Sequence, residues 1–194
     1  MDFILLARGR CDEAIAAGRR AVEVAPLYGY ASFNLGATYC HARQFDKAIE
    51  ELCRTVDLEP GSPLYHGVLA HCYAAAGQQN SAIRECEKAL ALTGDAPFLR
   101  LHSAVAYAIL HEVAGAHKLL EEAEQNWKPN GISAFWIACV HACLGEKDAA
   151  FAWLERAFQE RCSFLVWVKI FYPLARLHGD PRFDALVKRI GIPT

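Results

Sequence analysis

An alanine recurs every 34 residues along most of this chain, and this spacing constrains the fold more than any other feature. The alanines stand at Ala14, Ala48, Ala82, Ala116 and Ala150, without an insertion or a deletion between them. A period of this length is typical of arrays in which each unit is a helix–turn–helix that buries its apolar face against its neighbours. The sequence therefore predicts an all-α array of stacked helical hairpins.

Other columns keep the same register, and each suits one position in a helical hairpin. Large side chains that fill the gap between two helices stand at Leu5, Tyr39, Tyr73, Tyr107 and His141. A second column, made of small residues that let helices approach, contains Ala21, Thr55, Ala89, Ala123 and Ala157. A third column suits the left-handed turn between helices and contains Gly9, Arg43, Gly77, His111 and Gly145.

These columns resemble the tetratricopeptide repeat, and the resemblance covers about residues 1–161. It departs from the family pattern where His111 replaces the turn glycine and where His141 stands in the aromatic column. It also departs at Lys128-Pro129, where the proline is shifted by one residue from the column of helix breakers that contains Pro26, Pro60 and Gly94. The resemblance implies a right-handed α-solenoid with units at about 1–28, 29–62, 63–96, 97–130 and 131–161. It also implies a non-enzymatic protein–protein interaction scaffold, without naming the partner.

Within each unit, a first helix and a second helix are expected on either side of the turn. First helices are predicted near 29–42, 63–76, 97–110 and 131–144, and second helices near 12–25, 46–59, 80–93, 114–127 and 148–161. Short oxygen-bearing side chains at Asp12, Asp46, Asn80 and Asp148 are predicted to cap the second helices. Ser62-Pro63 is predicted to start the third first helix.

The first repeat is predicted to be truncated, because the period would place the start of its first helix before Met1. Residues 2–8 supply only the last two turns of that helix, and they include Phe3, Leu5 and Leu6. A terminal repeat usually has a polar outer face. These residues therefore suggest a fragment, an alternative start, or a homodimer formed through residues 1–8.

Residues 162–194 depart from the repeat and are predicted to form a C-terminal extension with a capping helix. Asp180-Pro181 predicts a cap and first turn for a last helix that ends near Ile190, before Gly191. Residues 179–193 resemble the closing segment of many bacterial tetratricopeptide regions that follow a cyclase, winged-helix or kinase domain. That resemblance implies a part of a larger bacterial signalling or regulatory protein.

The composition argues against several classes of partner. The formal net charge is -2 and 54% of the residues are hydrophobic, so no broad field favours nucleic acid or an anionic membrane. The sequence has no apolar run long enough for a membrane-spanning helix and no charged leader before an apolar run. Its eight cysteines lie singly among apolar residues at helical spacings. We therefore expect a cytoplasmic protein with reduced thiols.

No motif for catalysis or for a cofactor is apparent. His111 and His117 are six residues apart, whereas a zinc-protease helix needs histidines four apart. The best metal candidates are Cys139, His141 and Cys143, with His71 and His102 on neighbouring first helices. A closed zinc site needs four ligands, so ordinary packing is the preferred interpretation. We expect no enzyme activity, no cofactor and no metal.

The concave surface is the most informative candidate site. In the family, a few columns of the first helices point inward, and the resemblance maps them onto fifteen peptide-binding candidates and Gly67. The candidates are Tyr30, Phe33, Asn34, Ala37, Leu64, Val68, His71, Phe98, Leu101, His102, Val105, Ile132, Phe135, Trp136 and Cys139. None is Lys, Arg, Asp or Glu. Only Asn34 matches the two-carboxylate clamp by which relatives bind chaperone tails, so that function is not expected.

An apolar peptide, a helix or a neighbouring domain is therefore the expected partner, because a carboxylate entering this groove would lose water without gaining a cation. Two alternatives remain open: the groove is accessible, or the segment after residue 162 folds back and fills it. Binding of single-stranded RNA, with bases stacked on Tyr30, Phe98 and Trp136, is a less favoured alternative because a basic track is missing.

Overall fold

The computed structural model describes residues 3–94, 96–129 and 132–192, and within these ranges the regular structure is helical. The first helices of the five units are α1 (Phe3–Ala7), α3 (Gly29–His41), α5 (Pro63–Ala75), α7 (Pro97–Ile109) and α9 (Ile132–Leu144). The second helices are α2 (Cys11–Val24), α4 (Phe45–Leu58), α6 (Gln79–Leu92), α8 (Val113–Gln125) and α10 (Lys147–Gln159). Two 3₁₀ helices, η1 (Ser163–Trp167) and η2 (Tyr172–Leu177), precede α11 (Pro181–Ile190).

The helices stack as hairpins in chain order, which confirms the predicted α-solenoid. Each second helix packs against the first helix of its own unit, and α3, α5, α7 and α9 contact one another in order. The alanine column lies where these helices meet, and its members from Ala48 to Ala150 are fully buried. A larger side chain at these positions would hold the helices apart. No helix among the described residues is both long and apolar enough to cross a bilayer.

The turn column adopts the left-handed conformation whether or not it holds glycine. The φ angles of Gly9, Gly77 and Gly145 are 72°, 74° and 87°. Arg43 and His111, in the same column, have similar φ angles of 58° and 61°. A residue with a Cβ atom is strained there by about 1–2 kcal/mol. The hairpin geometry therefore overrides the local preference of these two residues.

The predicted caps of the second helices are wrong. These helices begin one residue earlier than expected, after Arg10, Gln44, Gln78 and Glu146, and the cap side chains make no capping hydrogen bond. Asp12, Asp46, Asn80 and Asp148 therefore lie within the first turn. The carboxylates there favour the helix by facing the positive end of its dipole. Ser62 does precede α5, but its side chain makes no capping bond either.

The C-terminal prediction is confirmed in its helical part. Asp180 accepts a hydrogen bond from the backbone N–H of Arg182 at 3.0 Å, and Gly191 ends α11 in the left-handed conformation with φ of 81°. Two ion pairs connect α11 to residues one period earlier in α10: Arg182 to Asp148 at 2.7 Å and Arg189 to Glu155 at 2.8 Å. Thus α11 takes the place of a sixth second helix.

The preceding segment, η1 and η2, does not form a sixth first helix. It packs against α9, and Leu174 and Leu177 are fully buried in the core that joins α7 to α11. At its other side, η1 contacts α1. The C-terminal segment therefore crosses the concave side and connects the two ends of the array.

Candidate functional site

A cleft remains open on the concave side of the array, with a volume of about 250 Å³. Its walls come from α3, α5, α7 and α9 on one side and from η1, η2 and their connection on the other. The lining residues are Tyr30, Phe33, Asn34, Ala37, Cys40, His41, Leu64, Val68, His71, Phe98, His102, Trp136, Phe164, Trp167, Phe171 and Tyr172. Tyr30 and Phe98 are exposed at the rim, whereas His71, His102 and Trp136 are buried at the floor.

Helical spacing brings the α3 part of this wall together. Tyr30, Phe33, Ala37 and His41 follow one another at steps of three or four residues, and Asn34 is four residues after Tyr30, so all five lie on one face of the helix. The rings of Tyr30 and Phe33 are stacked, with centroids 6.0 Å apart. The wall is therefore continuous and mostly aromatic from the rim inward.

Gly67 fixes the distance between α5 and α7 at the floor. A Cβ atom added to Gly67 would lie 2.7 Å from the Cβ atom of His102. Because the two helices approach this closely, the imidazole rings of His71 and His102 stack with centroids 5.0 Å apart. The ring of His102 is 4.0 Å from that of Trp136. The floor is therefore a packed set of three flat rings.

The C-terminal segment forms the opposite wall through three aromatic rings. Phe171 lies 5.1 Å from Trp136 and 5.1 Å from His41, measured between ring centroids. The ring of Phe164 is 4.7 Å from that of Trp167, edge to face. Aromatic pairs at these distances add to the burial energy of each ring. This segment thus fills the α9 end of the groove and leaves the α3–α7 end open.

The floor histidines are neutral at physiological pH. Burial lowers the pKa of His71 to about 4 and lowers that of His102 well below its usual value. The Nε2–H of His71 donates to the backbone carbonyl of His102 at 2.6 Å, which fixes its tautomer. Since no Lys, Arg, Asp or Glu is among the residues that line the cleft, the site presents hydrogen-bonding groups and apolar surface but no formal charge.

The structure places ten of the fifteen predicted site residues on the cleft wall. They are Tyr30, Phe33, Asn34, Ala37, Leu64, Val68, His71, Phe98, His102 and Trp136. Four others, Leu101, Val105, Phe135 and Cys139, are instead fully buried between helices, so the expectation that they face a ligand is corrected. Ile132 starts α9, but its side chain lies outside the described part of the structure.

Six lining residues were missed from the sequence. They are Cys40, His41, Phe164, Trp167, Phe171 and Tyr172. His41 carries a usable signal, because it continues the α3 face four residues after Ala37. The other signal is the spacing of Phe164, Trp167 and Phe171, which places large rings three and four residues apart in a segment outside the repeats.

The metal candidates are engaged in packing and in hydrogen bonds. Cys139 is fully buried, and burial raises the pKa of the Cys143 thiol to about 12. His141 lies between two carboxylates, with Nδ1 2.6 Å from Glu146 and Nε2 3.0 Å from Glu124. Among the described residues, no three His, Cys, Asp or Glu side chains are placed to hold a metal ion.

The proposed dimer surface at residues 1–8 offers little exposed apolar area in its described part. In α1, Ile4 is exposed, whereas Leu6 is buried. Met1 and Asp2, and the side chain of Phe3, lie outside the described residues. Exposed apolar side chains are more concentrated at Val24, the last residue of α2, and at Leu27 and Tyr28 just after it.

The buried histidines predict a loss of stability in mild acid. In the unfolded chain His71 binds its proton near pH 6.5, but in the folded chain only near pH 4. Stability contributed by the neutral ring is therefore present above pH 6.5 and falls as the pH decreases towards 4. The variant His71→Gln keeps a donor at the Nε2 position but has no group that titrates in this range. Between pH 7.5 and 5, we expect the free energy of unfolding to fall by about 2 kcal/mol less in this variant than in the parent chain.

Urea unfolding at the two pH values measures this difference. His111→Asn is the matched control, since His111 is exposed and asparagine tolerates its left-handed backbone. Equal pH dependence in His71→Gln and in the parent chain would contradict the assignment of a neutral buried ring.

Comparison with known proteins agrees with the repeat pattern. The tetratricopeptide repeat family model matches residues 5–72. A crystal structure of MamA is similar at 22% identity and a TM-score of 0.51, over 83% of this chain and 95% of that chain. A second structure of MamA protein has 21% identity and a TM-score of 0.52, over 86% of this chain and 90% of the other. A search of curated proteins finds no match. At these identities the two structures show that this chain shares their fold, but they do not identify its partners.

Proposed function

The chain carries tetratricopeptide repeats, and on this premise we propose that it is a non-enzymatic scaffold that binds a partner protein through its concave cleft. The observation that carries the proposal is the cleft itself, which is open to solvent, lined by aromatic rings and without charged side chains among its lining residues. An apolar cleft that stays open to solvent gains free energy when apolar groups of a partner displace its water.

The size of the cleft restricts what enters it. Its volume of about 250 Å³ lies below the range of about 300–1,000 Å³ that is usual for small-molecule pockets. One or two large apolar side chains fit this space, whereas a complete helix does not. We therefore propose that a partner inserts anchors between α3, α5 and α7 while the rest of its segment lies along the rim at Tyr30 and Phe98.

The chemistry of the wall favours apolar anchors over acidic ones. A carboxylate that entered would lose its hydration beside His71, His102 and Trp136 without meeting a cation. Two buried anchors contribute about 1.5–3 kcal/mol each. The gross gain of about 3–6 kcal/mol corresponds to a Kd no tighter than about tens of micromolar. Since association and ordering offset much of this gain, weaker binding, in about the high micromolar to millimolar range, is expected. Such an affinity suits reversible contact.

The cellular setting is proposed from the closing segment alone. Residues 179–193 are similar to the end of tetratricopeptide regions in bacterial cyclase-, winged-helix- and kinase-linked proteins. We propose that the scaffold works in the cytoplasm as part of such a signalling protein, where occupation of the cleft would be passed to an output domain.

A peptide-display screen against the chain tests the binding site. We expect the selected peptides to contain two or more large apolar residues, and Phe98→Asp to weaken their binding about tenfold or more. Val113→Asp is the matched control, because Val113 also lies in the first turn of a helix and is exposed, but it does not line the cleft. Acidic selected peptides, or equal binding by the two variants, would overturn the proposal.

A further inference from the structure

A carboxylate lies at the edge of the concave cleft, beside the start of α3. A Cβ atom added to Gly29 would clash with Oε1 of Glu59, so this carboxylate rests against the backbone next to Tyr30. Glu59 is exposed, and it has no ion-pair partner within the part of the chain that the structure describes. Arg54 also reaches this edge, but its guanidinium donates to the backbone carbonyl of Pro26 at 3.2 Å. The negative charge of Glu59 is therefore available to a cation from outside.

Three aromatic rings lie in a row next to this carboxylate. The ring of Tyr30 stacks on that of Phe33, and the centroid of Phe33 is 4.8 Å from that of Tyr65. Tyr30 and Phe33 line the cleft, and Tyr30 is 44% exposed. Burial raises the pKa of Tyr65, and the negative charge of Glu59 raises it further. The carboxylate and the aromatic row therefore belong to one continuous surface that leads into the cleft.

The repeat itself does not require an acidic residue at this position. The other members of the same column, at intervals of one period, are Ala25, Thr93, Trp127 and Arg161. The hydroxyl of Thr93 donates to the carbonyl of Ala89 in its own helix at 2.6 Å, and the ring of Trp127 packs on that of Trp153. These two side chains are used within the array. Glu59 is not, so its charge contributes to the surface and not to the helical hairpin.

The aromatic row and the carboxylate favour the same kind of group. A cation is attracted to the face of an exposed aromatic ring such as that of Tyr30, because the ring face carries partial negative charge. The same cation can form an ion pair with Glu59, whereas an anion would be repelled. Each contribution is small at an exposed site, and together they increase affinity by about five- to tenfold. That increase matters because two apolar anchors alone give weak binding.

We propose that the edge formed by Tyr30, Tyr65 and Glu59 binds a lysine or arginine side chain that flanks the apolar anchors of the bound segment. The inference rests on the proposed function, because the anchors in the cleft hold that segment in place. The apolar stem of the basic side chain packs on the ring of Tyr30, and its charged end pairs with Glu59. The uncharged cleft thus accepts the anchors, and the edge selects the charge of the residue beside them.

A peptide library tests the preference for a cation. The probe is a set of short displayed peptides with a fixed tryptophan–leucine pair and random residues at all other positions. Selection on the parent chain is expected to enrich lysine and arginine over aspartate and glutamate about threefold or more beside the fixed pair. Selection on Glu59→Arg is expected to reverse this preference. Asp57→Arg is the matched control, because Asp57 is also an exposed carboxylate near the end of α4 but lies outside the cleft lining.

Fluorescence anisotropy measures the contribution of the charge. An enriched peptide that contains lysine is compared with its norleucine analogue, which keeps the apolar stem and removes the ammonium group. The lysine form is expected to bind the parent chain about five- to tenfold more tightly, and the difference is expected to narrow to about twofold in Glu59→Gln, where only the ring remains. Phe98→Ala truncates the anchor site without adding charge, so it is expected to weaken both peptides alike.

The outcomes distinguish this inference from the proposed function. If no selected peptide is weakened by Phe98→Ala, the cleft is not the binding site and both proposals are wrong. If binding depends on Phe98 but the peptides show no basic preference, or keep it in Glu59→Arg, the cleft remains a binding site and the cation site is overturned. Equal reversal of the preference in Asp57→Arg would also overturn it, because the net charge of the chain and not this edge would then select the cation.

Discussion

Gly67→Ala is expected to lower the free energy of unfolding by about 1–3 kcal/mol, although alanine is normally the better residue inside a helix. The added methyl group would lie 2.7 Å from the Cβ atom of His102, an atom that is fixed to the backbone of α7. The methyl group is accommodated only if α5 and α7 separate. The steric cost therefore exceeds the gain in helix propensity of about 0.5–1 kcal/mol.

Urea unfolding measures this effect, and near-UV circular dichroism reports whether Trp136 loses its packing on His102. Gly61→Ala is the control, because a Cβ atom at Gly61 would have no neighbour within 4 Å. That change is expected to remain within about 0.5 kcal/mol of the parent. Equal changes in the free energy of unfolding for the two substitutions would contradict the view that the close approach of Gly67 to His102 makes Gly67→Ala destabilising.

Phe171→Ala is expected to destabilise the chain by about 3–5 kcal/mol and to release the C-terminal segment from the groove. The Phe171 side chain is 5% exposed, and its ring contacts those of His41, Phe135 and Trp136. Truncation leaves a cavity between α9 and the segment that holds η1 and η2. Because that segment has little regular structure of its own, it is expected to detach before the helical hairpins unfold.

Urea unfolding and limited proteolysis separate the two parts of this prediction. The expected result is a lower unfolding midpoint together with new cleavage between residues 162 and 178. Val166→Ala, in the same segment but 46% exposed, is expected to change neither quantity appreciably. A Phe171→Ala chain that is as stable and as protected as Val166→Ala would refute the view that this ring holds the segment in place.

The hairpins were predictable because they follow from a pattern repeated many times in one register. The predicted starts of α3, α5 and α7 agree with the structure, and those of the second helices differ by one residue. The prediction of the helix caps was wrong for a physical reason. Aspartate is favourable both as a cap and in the first turn, so Asp12 and Asp46 alone do not distinguish the two positions.

The concave site was predictable only in part. Helical spacing places Phe33, Val68 and Trp136 on the inner side, but the depth of a residue depends on what packs over it. Leu101 and Phe135 belong to the same columns and are nevertheless fully buried. The path of η1 and η2 comes from contacts between distant parts of the chain, and no local period encodes such contacts.

The contact between α1 and η1 has a consequence for how the chain folds. An open repeat array frays from its ends, because a terminal unit has only one neighbour. Here α1 and η1 pack against each other, so local unfolding of either one exposes the other. Amide hydrogen exchange in the two helices is therefore expected to show one common free energy of opening. During synthesis α1 leaves the ribosome well before η1, and it gains this contact only when residues 163–167 have emerged.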